Sequence, residues 1–129
     1  MIMCHVLVVD DDPIHHYLAQ YLSRDNSKIA SLKCFLKSSD ALLFLKERIL
    51  NSLSIPDVIL LDINMPDMDG PAFLEASKNI FTGIHKKIRV FILSSSLNLQ
   101  HKNLVDKYNF VKGFYTKPLT KNILKKLVI

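Results

Sequence analysis

The chain alternates between short, wholly apolar runs and longer stretches with helical periodicity. Residues 6–9 are apolar at every position. Pro13 then opens a pattern that places Ile14, Leu18, Tyr21 and Leu22 on one helical face. Ile29–Phe35 alternates as a strand does. Ser38–Leu50 returns to helical spacing, with Leu42, Leu45 and Ile49 in line. Residues 58–61 form another apolar run, bounded by Pro56-Asp57 and Asp62. After a turn over residues 65–70, Pro71 starts a helix through Phe73, Ala76 and Ile80. Residues 90–93 are a fourth apolar run, and Leu97, His101, Leu104 and Tyr108 mark the helical face after it. Residues 114–116 predict a short fifth strand. Ile123, Leu124 and Leu127 mark a last helix.

Five β-α units in succession follow from this pattern. Strands apolar at every position suit a parallel sheet covered by helices on both faces. Right-handed crossovers make it a doubly wound α/β sheet, which binds ligands outside the C-terminal strand ends. At 129 residues the chain is the length of one domain, 1–129. Hydrophobic residues make up 49% and charged residues 22%, which excludes a disordered chain. No apolar run approaches the ~18 residues of a membrane span. A secretory signal is excluded too, because the apolar start runs into three aspartates. Cys4 and Cys34 have no metal-like spacing and read as reduced core thiols of a cytoplasmic protein.

Charge changes the picture. The net charge is +5, but residues 1–70 carry 10 acids against 6 bases, and residues 71–129 carry 2 acids against 11 bases. Such asymmetry suits an acidic partner or a solvated basic face. The lysines lack interleaved exposed aromatics or arginines, so no direct DNA binding is expected. The acids gather where the strands end. The first strand runs into Asp10-Asp11-Asp12, the third into Asp62, the fourth into Ser94-Ser95-Ser96 and the fifth into Thr116-Lys117-Pro118. In a parallel sheet these converge on one rim. Several carboxylates with one lysine and one hydroxyl suit a hard cation and a phosphoryl group. Individually, Asp12 before Pro13 also fits a helix N-cap. Asp67 and Asp69 before Gly70 fit turn formers.

Residues 6–12, 60–70, 91–95 and 113–118, in this order and spacing, resemble the receiver domain of bacterial two-component response regulators. The most specific part is Asp62 followed by Asn64-Met65-Pro66 and Met68-Asp69-Gly70. The resemblance implies a flavodoxin-like sheet of strand order 2-1-3-4-5. It implies a stand-alone, chemotaxis-type signalling module, not an enzyme beyond its own phosphorylation and dephosphorylation. Asp62 is then the phosphoacceptor for a sensor histidine kinase. Asp10 and Asp11 hold Mg²⁺ with Asp62 and the backbone carbonyl of Asn64. Lys117 and Ser94 meet phosphoryl oxygens. Ser94 and Phe114 form the switch, which reshapes the surface of the fourth helix, fifth strand and fifth helix. That surface controls an output partner or a histidine phosphotransfer protein, and phosphorylation-dependent pairing of two copies stays open. Ser94 stands where threonine is commoner, and Phe114 where tyrosine is frequent.

Two other classes share part of the pattern. A haloacid dehalogenase-type phosphatase would use Asp10 as nucleophile and Asp12 as acid/base, but only Glu75 and Asp106 remain after Asp69 for its second metal element. A flavodoxin would need a phosphate loop after the first strand, where this chain is acidic. A module that binds partners without phosphorylation is the third alternative. His15 and His16, adjacent on a helix, read as a solvated pair beside the rim, with His15 alternatively touching the site mouth, and His5, His85 and His101 as scattered.

Overall fold

The computed structural model describes residues 3–96 and 99–129. Among them the elements run β1 (Cys4–Val9), α1 (Pro13–Ser23), β2 (Ile29–Phe35), α2 (Ser38–Leu50), β3 (Val58–Asp62), α3 (Gly70–Phe81), β4 (Arg89–Ser94), α4 (Leu99–Lys107), β5 (Val111–Thr116) and α5 (Lys121–Leu127). The five strands form one parallel sheet in the order β2-β1-β3-β4-β5. This is the doubly wound sheet expected.

The apolar strands divide their side chains between two cores, because successive residues point to opposite faces. Leu7, Val9, Ile59, Leu61, Val90 and Ile92 meet Ala41, Leu45, Phe73 and Leu74 from α2 and α3. Val6, Val8, Val58, Leu60, Phe91 and Leu93 meet Ala19 of α1 and Leu124 and Leu127 of α5. Helices on both faces explain why β1, β3 and β4 carry almost no polar residue. β2, at one edge, is only partly buried along its length.

Register places the site. Val9 pairs with Leu61, Asp62 with Leu93, and Ser94 with Thr116. The residues at or just past these pairs, Asp10, Asp62, Ser94 and Lys117, therefore share one rim.

Three expectations are corrected. The buried residues of α1 are His16 and Ala19, whereas Ile14 and Tyr21 are 71% and 61% exposed. Ala19 faces the sheet with Leu18 and Leu22 packed beside it, while Ile14, Tyr17 and Tyr21 point outward. β5 starts at Val111, three residues before the apolar run at 114, because Val111 and Gly113 pair with Val90 and Phe91 of β4 across a register shift at Lys112, whatever their side chains. Cys34 is only half-buried, while Cys4 is buried; both are free thiols. The predicted face residue Leu97 lies outside the described residues. No helix among the described residues is long and apolar enough to cross a membrane.

Candidate phosphoryl site at the strand rim

Each loop at the rim is fixed by its own backbone chemistry. Asp12 caps α1, its carboxylate accepting from Ile14 N at 2.9 Å. Its own N–H donates to Asp10 Oδ1 at 2.9 Å, which pins the Asp10 carboxylate. The N–H of Asn64 donates to Asp62 Oδ1 at 3.1 Å and pins the second. Beyond Asp62 the chain turns tightly into α3, with Gly70 N–H bonded to Ile63 O at 2.9 Å. A Cβ on Gly70 would lie 2.2 Å from Ile63 Cδ1 and 2.9 Å from Ile63 Cα, so only glycine fits this approach. Asp69 caps α3 through Ala72 N.

Asp67 does more than form a turn. Its carboxylate accepts from Ser38 N, Ser39 N and Ser39 Oγ, across 28 and 29 residues of sequence. It thus caps α2 from another loop and ties that helix to the loop after β3. Lys37, in the N-cap position itself, makes no side-chain cap bond. These hydrogen bonds, the Ser39 N–H foremost, hold the Asp67 carboxyl down at about 2.

Two carboxylates and one ammonium meet at the centre. Asp10 is 2% exposed and Asp62 6%. Lys117 Nζ lies 2.8 Å from Asp10 Oδ2 and 3.4 Å from Asp62 Oδ2. The lysine stem crosses a crevice of Leu18, Leu60, Leu93 and Leu119, so the ammonium is delivered from an apolar channel. The Lys117 N–H is bonded to Ser94 O at 2.8 Å, and the Lys117-Pro118 peptide is cis. Burial pushes the Asp62 carboxyl up to about 6, and the charge of Asp10 and a hydrogen bond with Asp11 add to it. The Asn64 N–H and Lys117 oppose that rise.

Oxygens of Asp10, Asp11 and Asp62 lie within 4.8 Å of one another. An all-oxygen set with two buried members and one exposed fits a hard divalent cation that keeps some of its water. Asp12 stands outside this group and acts as the cap.

The structure brings Asp10, Asp11, Asp62 and Lys117 together. Ser94, 1% exposed, is turned elsewhere: its hydroxyl donates to Ser96 O at 2.6 Å. Phe114 is half-buried against the core on the α2–α3 side, 6.4 Å ring to ring from the buried His101. His15 takes the site-mouth position, the second of the two readings for it. Its Nδ1 lies 3.0 Å from Asp10 Oδ2 and 3.1 Å from Lys117 Nζ. His16 is buried rather than solvated. The signal was available: α1 starts four residues after β1 ends, so its first turn must overhang the rim.

The response regulator receiver domain model matches residues 6–129. No curated protein matches the chain significantly. Among solved structures, the two-component response regulator from Cytophaga hutchinsonii is similar at 28% identity, covering 98% of this chain and 95% of that one, with TM-score 0.88. The receiver protein from Dyadobacter fermentans aligns at 24% identity over 96% and 94% of the two chains, TM-score 0.78. A CheX–CheY–BeF₃–Mg²⁺ complex from Borrelia burgdorferi aligns at 23% over 98% and 87%, TM-score 0.73. The last two likenesses speak to fold alone.

Proposed function

The chain belongs to the response regulator receiver domain family, whose general function is phosphorelay signalling, and from that premise we propose that Asp62 is its phosphoacceptor. The observation that carries this reading is the convergence of Asp62, Asp10 and the Lys117 ammonium within 3.4 Å on a buried rim. A carboxylate nucleophile needs a neighbouring cation to accept charge from the incoming phosphoryl oxygens.

Asp62 Oδ2, the oxygen facing Lys117, attacks the phosphorus of a phosphohistidine on a sensor histidine kinase. A P–O bond forms as the P–N bond breaks, and the imidazole leaves with the electron pair and takes up a proton. Lys117 then moves from its ion pair with Asp62 to a phosphoryl oxygen. Loss of the phosphoryl group follows when water attacks phosphorus, releasing phosphate and restoring the carboxylate. Asp10, Asp11, Asp62 and the Asn64 carbonyl are the groups that would hold Mg²⁺, which would supply positive charge to the phosphoryl oxygens. Asp10 Oδ1 stays pinned by Asp12 N–H, and the Asn64 N–H keeps Asp62 aimed.

The switch begins at Ser94. To reach the phosphoryl group its hydroxyl gives up the bond to Ser96 O, which frees Ser96. Phe114, partly buried, moves into the space this opens. The α4–β5–α5 surface then changes shape in a cytoplasmic protein and meets an output partner. Lys102, Lys107, Lys112, Lys125 and Lys126 stand exposed there, which favours an acidic partner. Beryllofluoride with Mg²⁺ tests this switch. Amide NMR shifts should spread from residues 62 and 94 to α4 and β5 in the wild type and vanish in Asp62→Asn. Shifts confined to the rim would contradict the switch.

A further inference from the structure

α2 presents an apolar stripe to solvent. Leu43 and Leu50 stand two turns apart on one line of the helix and are 55% and 82% exposed. Leu36, just before the helix, keeps the same spacing and is 49% exposed. The buried residues of α2, among them Ala41, Leu42 and Leu45, point the other way, so the fold itself uses none of these three leucines. Exposed leucines at heptad spacing are the pattern by which one helix packs alongside another.

Charged side chains flank the stripe. Asp40 and Glu47 share one side of it, and Ser39 and Lys46 share the other; all four are exposed. Among the described residues Asp40, Lys46 and Glu47 make no ion pair. Lys46 and Glu47 are consecutive, so they diverge by ~100° and cannot pair within one helix. A second copy of α2 laid antiparallel across the stripe would set Asp40 against Glu47. Laid parallel about a two-fold axis, it sets Glu47 of each copy against Lys46 of the other, while Leu43 and Leu50 each meet themselves. α2 carries two acids and two bases, so two copies approach here without net repulsion in a chain of net charge +5. The lysine-rich α4–β5–α5 surface repels its own copy.

We propose that α2 is a self-association surface, which pairs two copies of this chain in parallel through Leu43 and Leu50. One helix face is a small contact, so the pairing is weak, with a dissociation constant on the order of 100 µM. α2 begins where β2 ends, and there the Phe35 carbonyl accepts from Asp10 N–H at the rim. A parallel pair therefore sets both Asp62 rims at the same end of the dimer. α2 packs on β2 and α3, at the end of the sheet opposite β5, so the α4–β5–α5 surface stays uncovered.

Sedimentation equilibrium from about 10 to about 500 µM protein, in EDTA and without a phosphodonor, tests this pairing. The wild type should dimerise reversibly, and Leu43→Gln should weaken the dimer about tenfold. Lys46→Glu and Glu47→Lys, each of which sets like charges face to face, should weaken it about fivefold. The double exchange Lys46→Glu/Glu47→Lys should recover to within about twofold of wild type, which a merely local effect on the helix would not produce. Urea midpoints at about 5 µM, where the chains are separate, report the folding of each variant. In a Cys34→Ser background a short bismaleimide should link Leu43→Cys to itself and Leu50→Cys to itself. A wild type that stays monomeric at about 500 µM assigns the stripe to a partner other than this chain and overturns the proposal. Single exchanges without effect, or a double exchange as weak as the singles, overturn it as well. Linkage at 43 without linkage at 50 overturns the parallel arrangement.

Discussion

Replacing Asp62 by asparagine should make the protein more stable, because the wild type holds a carboxylate where burial opposes charge. The carboxyl is shifted from the usual 3.8 to about 6. Two units at ~1.4 kcal/mol each set an upper value of roughly 3 kcal/mol for the penalty on the ionised form. Asparagine keeps the shape and the oxygen that accepts from Asn64 N–H, but sets an amide NH₂ near Lys117 and loses that ion pair. A net gain of about 1–2 kcal/mol at pH 7.5 in EDTA remains, or a rise in Tm of several degrees. The pH dependence has a definite sign. A raised folded-state pKa means that the wild type is relieved of the penalty below about 3.8 and bears it in full above about 6. The gap between the two proteins should therefore open between those limits and stay constant above them. Mg²⁺ should close it from the wild-type side, since a cation held by Asp10, Asp11 and Asp62 stabilises only a protein that still carries all three charges. Urea unfolding at several pH values, with EDTA or Mg²⁺, reads all of this from the midpoint at constant m. An asparagine variant less stable than wild type at pH 7.5 in EDTA, or a gap indifferent to pH, would refute the reasoning.

Three further outcomes follow from Asp67, Gly70 and Tyr108. Asp67→Ala should cost about 0.5–1 kcal/mol at neutral pH, the value of a helix cap discounted for its exposure to solvent. Because the folded carboxyl is held at about 2, that contribution is present above about pH 4 and disappears as pH falls toward 2, as acid unfolding curves should show. Gly70→Ala should cost about 1–3 kcal/mol in urea unfolding, since the new methyl meets the Ile63 backbone and no rotamer relieves it. Tyr108 is buried, with its hydroxyl donating to Glu75, and burial pushes its pKa to about 12. Wild-type stability should fall as pH rises from about 10 to 12, and Tyr108→Phe should flatten that limb of the curve.

The elements whose apolar pattern reports burial on both faces were the most legible. β1, β3 and β4 are such runs, and their helices carry clear punctuation in Pro13, Gly70 and Pro71. From those boundaries Asp10, Asp62, Ser94 and Lys117 fall to one rim with no further information. What stayed hidden depends on which way a face turns. Ile14, Tyr17 and Tyr21 lie three and four residues apart and would serve a core equally well, yet they point to solvent. Periodicity registers a stripe and not its direction. Lys112 and Gly113 hide half of β5, because an edge strand is held by backbone bonds that side chains do not advertise. Asp67 capping α2 joins residues 28 and 29 apart. Local spacing carries no trace of such pairs. The direction of the Ser94 hydroxyl, toward Ser96 O, is likewise a property of the loop and not of the residue type.

The central claim is that this rim places a phosphoryl group on Asp62. Intact mass after incubation with acetyl phosphate and Mg²⁺ tests it most directly, on wild type, Asp62→Asn and Asp10→Asn. The account predicts a single phosphoryl adduct on the wild type, dependent on Mg²⁺, labile to hydroxylamine and absent from Asp62→Asn. An adduct that survives in Asp62→Asn and is lost in Asp10→Asn would contradict it, and would move the nucleophile to the end of β1.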